Sequence, residues 1–195
     1  MSQPVTPSRA FSAARAAQRV ALVGFMGAGK TTVGRELARR LHWEFVDLDD
    51  TIVAREGRSV AEIFRDAGEA AFRRAETAAL RAVLRGPATT QGLVLALGGG
   101  AYVQARNVAL LERARVAVIF LDAAPEILLK RCCASGVERP LLRDANQFRQ
   151  LYGTRRVRYI KAEVRIGSGG RTPAQTAAAA ERWLRRRAQR AGGPA

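Results

Sequence analysis

Residues 24–31 read Gly-Phe-Met-Gly-Ala-Gly-Lys-Thr, three glycines followed by a lysine and a hydroxyl at the spacing that phosphate chemistry needs. Glycines let successive backbone N–H groups curl around phosphate oxygens. Lys30 would reach the β- and γ-phosphates and the Thr31 hydroxyl would sit on Mg²⁺. The run Val20-Ala21-Leu22-Val23 precedes this loop, and an apolar helical period at Val33, Leu37 and Leu41 follows it. A buried strand therefore feeds a glycine loop and then a helix N-terminus, whose dipole favours negative charge. A nucleoside triphosphate is the ligand this pattern points to.

Two further groups carry chemistry. Asp47 and Asp49 stand two apart beyond a second strand and point the same way while the chain stays extended. One would hold Mg²⁺ through water, and the other would bind or deprotonate an acceptor hydroxyl. The competing reading is a solvated turn, with Asp50 and Thr51 capping the next helix. Arg73 and Glu76 are three apart on a helical stretch and share a face, so the carboxylate can steady a guanidinium for a planar grip on an acidic substrate. Gly98, Gly99 and Gly100 follow a buried strand and would let a ligand approach bare backbone. Arg139, in Glu-Arg-Pro-Leu-Leu between two helices, suits a mobile loop that closes over a transferring phosphoryl group. Arg155 follows on the next helix, with Arg156 and Arg158 as competitors.

Elements that would position these residues alternate along the chain. Strands are expected at 20–23, 44–47, 93–97, 116–121 and 164–166. Helices are expected at 30–41, 51–55, from Ser59 to an interruption at Gly68, and at 69–85, 103–113, 125–133, 144–158 and 173–190. Ser59 and Glu62 have the spacing of a capping box. Apolar strands alternating with helices predict a three-layer α/β domain on a parallel sheet, with ligands at the carboxyl ends of the strands. Residues 1–19 are expected to form a loose tail, 20–190 the domain and 191–195 a C-terminal tail.

Composition narrows the partners. The chain has 195 residues and a formal net charge of +16, with 30 of its 33 basic residues arginine. Residues 1–19 contribute +3 and residues 181–195 contribute +4, in ends that read as dispensable. No aromatic-interleaved basic motif is present, so no dedicated nucleic-acid role is expected. No apolar stretch approaches the roughly 20 residues of a membrane span. Adjacent Cys132 and Cys133 match neither a disulfide framework nor a metal-ligand spacing, and His42, the only histidine, is placed at a helix end. A cytoplasmic monomer is the expectation.

The ordered set GFMGAGKT, FVDLDDTI, GEAAFRRAE, LGGGA, and ERPLL with Arg155 and Tyr159 resembles shikimate kinases from about Val20 to Pro173. That resemblance implies a P-loop kinase fold with a five-stranded parallel sheet in the nucleoside-monophosphate-kinase style and a mobile lid. It implies transfer of a phosphoryl group from Mg·ATP to the 3-hydroxyl of shikimate, in the route to aromatic amino acids. Gly27, Ala28, Gly29, Lys30, Thr31 and Thr32 would bind ATP, with Arg131, Arg171 and Pro173 on the adenine side and Arg139 from the lid. Thr31 and Asp47 would serve one Mg²⁺ ion, Asp47 through water. Asp49 would orient or deprotonate the acceptor. Arg73 and Arg155 would grip the shikimate carboxylate, Glu76 would steady Arg73, and Gly98, Gly99 and Gly100 would present backbone. Lys30, Asp49 and Arg139 form the implied catalytic set.

The chain departs from the family where Arg155-Arg156-Val157-Arg158-Tyr159 lacks the proline of R-x-P-L-Y. The choice among the three arginines stays open on the sequence. A gluconate kinase shares the P-loop without the arginine clamp and is the alternative enzyme. A ligand-sensing module without catalysis is the alternative from another class, disfavoured by the presence of Lys30 and Asp49.

Overall fold

A computed structural model describes residues 19–86, 91–134 and 144–191. The expected tails, apart from Arg19 and Ala191, and the segment carrying Arg139 lie outside the described residues. Strand β1 (Arg19–Val23) leads into helix α1 (Lys30–Leu41), and β2 (Glu44–Asp47) runs directly into α2 (Leu48–Glu56). Helix α3 (Val60–Arg85) precedes β3 (Leu93–Ala96), a short 3-10 turn at Ala101–Val103, and α4 (Ala105–Arg113). Then come β4 (Ala117–Asp122), α5 (Pro125–Ala134), α6 (Ala145–Tyr159), β5 (Val164–Gly167) and α7 (Pro173–Ala191).

All five strands are parallel, in the order β2-β3-β1-β4-β5. Every residue of β3 and β4, and all of β1 after Arg19, is buried. Side chains alternate between sheet faces along a strand, so continuous burial requires cover on both faces. Leu22 pairs with Ala96 and with Ile119, and Asp47 pairs with Ala96. This register brings the P-loop, Asp47 and Gly98 to one carboxyl edge of the sheet.

Local chemistry explains the element ends. Ser59 and Glu62 form the reciprocal capping box that opens α3. Within α3, Gly68 takes φ 75° and ψ 174°, which kinks the helix where an interruption was expected. The rings of Phe64 and Phe72 pack across the kink with centroids 4.6 Å apart. His42 ends α1 in the left-handed conformation, at the helix terminus where it was expected.

One expectation needs correction. Arg19 is no tail residue: it opens β1 and donates to the Leu84 and Gly86 carbonyls at 2.8 and 3.4 Å. The C-terminal basic stretch, within the described residues, is also tied to the rest of the domain. It is the second half of α7, where Glu181 accepts from Arg40 at 2.7 Å and from Arg185 at 2.6 Å. Buried Ala177 and Ala180 make α7 part of the core. No helix among the described residues is long and apolar enough to cross a membrane.

Candidate active site

The P-loop closes one side of the crevice. Gly27 and Gly29 have φ 78° and 87°, and Gly29 occupies the N-cap of α1 without any side-chain cap. The first turn of α1 therefore presents backbone donors that an anion can satisfy. Lys30 Nζ donates to the Gly24 and Phe25 carbonyls at 3.0 and 3.1 Å, folded back on the loop.

Asp47 and Asp49 meet in a way that spacing did not reveal. The chain does not stay extended after β2; it turns into α2 at Leu48. Asp47 is the N-cap, its Oδ1 accepting from the Asp49 backbone N–H at 3.0 Å, so Asp50 and Thr51 do not cap this helix. The other oxygen, Oδ2, accepts from the Thr31 hydroxyl at 2.7 Å. Thr31 and Asp47 thus form one oxygen-bearing pair beside the phosphate loop. Among the described residues no cluster of three acidic, His or Cys side chains could hold a metal alone. A hard cation here would complete its shell with water and phosphate oxygens, which suits Mg²⁺.

Asp49 points the other way. Its Oδ1 is buried with no hydrogen-bond partner among the described residues. Burial, reinforced by the Asp47 charge, raises its carboxyl above the ordinary aspartate range, against the pull of Lys30. A buried acceptor without a donor is costly unless a ligand supplies one. A Cβ at Gly98 would stand 2.8 Å from that oxygen and 3.0 Å from Glu76 Oε1, so only glycine leaves this space open.

Arg73 is held from two sides. Its Nη1 donates to both Glu76 oxygens at 3.0 and 3.2 Å. Its Nε and Nη2 donate to Glu69 Oε1 at 3.2 and 3.0 Å. The guanidinium lies against Gly100, where any Cβ would collide with it. Glu76 is fully buried and also accepts from the Gln104 amide. Burial raises its carboxyl to about 7 despite the opposing Arg73 charge, and Asp49 adds to the rise.

Of the three competing arginines, only Arg155 enters this crevice. It is 7% exposed, and its Nη1 would stand 3.4 Å from a Cβ on Gly99. Its guanidinium lies over the Phe25 ring at 5.8 Å. Tyr159, one turn on, donates its hydroxyl to the Gly99 carbonyl. Burial lowers the Arg155 guanidinium from its ordinary value, an effect that Tyr159 opposes and the neighbouring Arg73 charge reinforces. No ion pair joins Arg155 to a carboxylate among the described residues. Two neighbouring guanidinium groups, one of them buried with no carboxylate in ion-pair contact among the described residues, suit an anionic ligand. Arg156 instead pairs with Asp122, and Arg158 is exposed.

On the far side of the P-loop, Ala28, Gly29, Thr32, Arg131, Arg171 and Pro173 line a cleft of about 240 Å³. Arg131 bridges the two walls, donating to the Ser168 carbonyl at 2.9 Å and to that of Gly27 at 3.4 Å. The expected adenine-side residues therefore gather in one place. Arg139, expected on a lid, lies outside the described residues. Sequence reading missed Glu69 as a second partner of Arg73, and Gln104, which ties α3 to the turn before α4. Glu69 carried a usable signal, its i,i+4 spacing to Arg73; nothing marked Gln104.

The family model for shikimate kinase matches residues 26–185. A shikimate kinase from Geobacter sulfurreducens is 42% identical over 158 residues, covering 80% of this chain and 84% of that one. One from Thermus thermophilus is 42% identical over 161 residues, with the same coverage of both chains. Among solved structures, shikimate kinase from Acinetobacter baumannii in complex with shikimate superposes with a TM-score of 0.81 at 35% identity, covering 93% of this chain and 98% of that one. A gluconokinase from Sinorhizobium meliloti aligns at a TM-score of 0.60 with 18% identity over 90% of this chain and 96% of that one, a likeness of fold alone. With the P-loop, the acid pair and the arginine crevice assembled on a β2-β3-β1-β4-β5 sheet, this chain belongs to the shikimate kinase family.

Proposed function

We propose that this enzyme transfers the γ-phosphoryl group of ATP to the 3-hydroxyl of shikimate, giving shikimate 3-phosphate and ADP for chorismate synthesis. The observation that carries the residue assignment is the buried Asp49 Oδ1, which faces Gly98 and has no hydrogen-bond partner among the described residues. ATP lies with its phosphates on residues 27–32 and its base in the cleft beside Arg131, Arg171 and Pro173. Shikimate lies along Gly98, Gly99 and Gly100 with its carboxylate between Arg73 and Arg155. Four of Arg73's contacts already go to Glu69 and Glu76, so the incoming carboxylate displaces the exposed Glu69 while buried Glu76 keeps the guanidinium in place.

Asp49 accepts a hydrogen bond from the 3-hydroxyl and takes its proton as the oxygen–phosphorus bond forms and the bond to ADP breaks. Its raised pKa makes it a better base than an exposed aspartate. Lys30 leaves the Gly24 and Phe25 carbonyls to neutralise the transferring group. Thr31 directly, and Asp47 through water, would hold Mg²⁺, which supplies charge neutralisation at the phosphates. On its motif alone, Arg139 is assigned further positive charge at the phosphoryl group. A cytoplasmic monomer remains our sequence-based assignment, checked by light scattering on the purified chain.

Lys30→Ala and Asp49→Asn test this assignment. Each should lower kcat by roughly 10² or more, with wild-type circular dichroism and thermal unfolding retained. Near-wild-type turnover in either folded variant overturns that residue's role.

A further inference from the structure

Asp122 ends β4 and is 5% exposed. Among the described residues its carboxylate makes no hydrogen bond or ion pair with those assigned above to ATP, Mg²⁺ or shikimate, while its backbone carbonyl accepts from Ser168 in the wall of the nucleotide cleft. Its carboxylate collects three partners. Arg156 Nη2 donates to Oδ2 at 3.2 Å, and Arg165 Nε lies 2.7 Å from the same oxygen. The Tyr152 hydroxyl is shared between Oδ1, at 3.3 Å, and the Ala123 carbonyl, at 3.2 Å. Arg165 is on β5; Tyr152 and Arg156 are both on α6.

Tyr152 and Arg156 are four residues apart and so share one side of α6. Arg155 and Tyr159 are also four apart and face Gly99. Neighbouring residues on a helix are turned by about 100° from one another. The helix runs unbroken through Tyr159, with no proline to fix its orientation. Between 155 and 158 it offers three guanidinium groups of equal charge. A turn of one residue would bring Arg156 towards the crevice in place of Arg155, so attraction for an anion cannot by itself select the arginine.

We propose that Asp122 is a positioning residue for substrate binding: by holding Tyr152 and Arg156 it fixes the rotation of α6 so that Arg155 faces the substrate carboxylate. This rests on the reading above that Arg155 grips that carboxylate. The same latch acts on Arg155 through packing. The Tyr152 ring meets Phe25 edge-on at 5.5 Å, and Arg155 lies over Phe25. Buried ion pairs contribute little net stability but can specify one arrangement among near-equal alternatives, and three adjacent arginines are such alternatives.

Steady-state kinetics on Asp122→Asn, Arg156→Gln, Arg165→Gln and Arg155→Ala, with shikimate and ATP varied separately, tests the proposal. Asp122→Asn and Arg156→Gln should each raise the KM for shikimate about tenfold, the scale of losing one charge-assisted hydrogen bond to the carboxylate, with the KM for ATP near wild type. Their double variant should be no worse than the worse single, because both break one contact. Arg165→Gln removes a partner of the same carboxylate from a different element, and should leave the KM for shikimate unchanged. Arg156 is 34% exposed, so Arg156→Gln keeps the test alive if Asp122→Asn does not fold. An unchanged KM for shikimate in Arg156→Gln overturns the proposal. So does Arg165→Gln matching Arg156→Gln, or a parallel rise in both KM values, each the mark of a merely structural role. An unchanged KM for shikimate in Arg155→Ala refutes the carboxylate reading itself, and the latch with it.

Discussion

Replacing Arg73 by lysine keeps the charge but removes the planar fork. The arginine uses three nitrogens at once, Nε and Nη2 toward Glu69 and Nη1 toward both oxygens of Glu76. A lysine offers three donors at one point on a shorter reach, and buried Glu76 claims that point first. The substrate carboxylate then loses at least one charge-assisted hydrogen bond, worth about 1.5–3 kcal/mol. At 1.4 kcal/mol per factor of ten, shikimate affinity should fall about 10- to 100-fold. ATP affinity should barely move, since the cleft lined by Thr32, Arg131 and Pro173 contains no Arg73 contact. Isothermal titration with shikimate and with a non-hydrolysable ATP analogue measures both directly. The charge beside Glu76 is retained, so Tm should stay within several degrees, the shift that about 1 kcal/mol produces in a domain of this size. Equal weakening of both ligands, or unchanged shikimate affinity in a folded variant, refutes the clamp.

Two other perturbations follow from the geometry. Asp47→Asn removes charge from the Thr31 pair and should raise the Mg²⁺ concentration needed for half-maximal turnover about tenfold, the lower range for losing a group that orients a metal ligand; an unchanged Mg²⁺ dependence argues against Asp47 at the metal. Burial raises Glu76 from 4.5 to about 7, so the folded chain holds this proton more tightly than the unfolded one. The stability it contributes is complete below pH 4.5 and is lost as pH rises through about 7, amounting to about 3 kcal/mol at 1.36 kcal/mol per pH unit. Subtracting the unfolding free energy of Glu76→Gln from that of the wild type across this range isolates the effect, and a flat difference would contradict it.

The parts of the site that were legible in the sequence are those whose chemistry is local. The P-loop announces itself because glycines, lysine and threonine must be contiguous to cradle phosphate, and Ser59 with Glu62 marks a helix start for the same reason. Gly68 was readable as an interruption because glycine, with no Cβ, disfavours a helix interior. What spacing could not show was rotation and capping. Asp47 and Asp49 looked alike until the turn into α2 made one a cap bonded to Thr31 and left the other with a buried oxygen that has no partner among the described residues. Arg155, Arg156 and Arg158 were equivalent by composition. Burial against Phe25 and Gly99, and the competing hold of Asp122, separate them only in three dimensions. Helix α7 was legible as a helix inside the domain, but the alanine face at Ala177 and Ala180 that it turns to the core was not.

We assign to this chain the phosphorylation of shikimate at its 3-hydroxyl. The most direct test is an ADP-release assay on the purified chain with Mg·ATP and shikimate, quinate or gluconate in parallel, followed by phosphorus NMR of the product. Robust turnover with shikimate, a single phosphate ester at the 3-position and no turnover with gluconate are expected. Gluconate phosphorylation exceeding that of shikimate, or ADP release without a shikimate ester, would contradict this assignment.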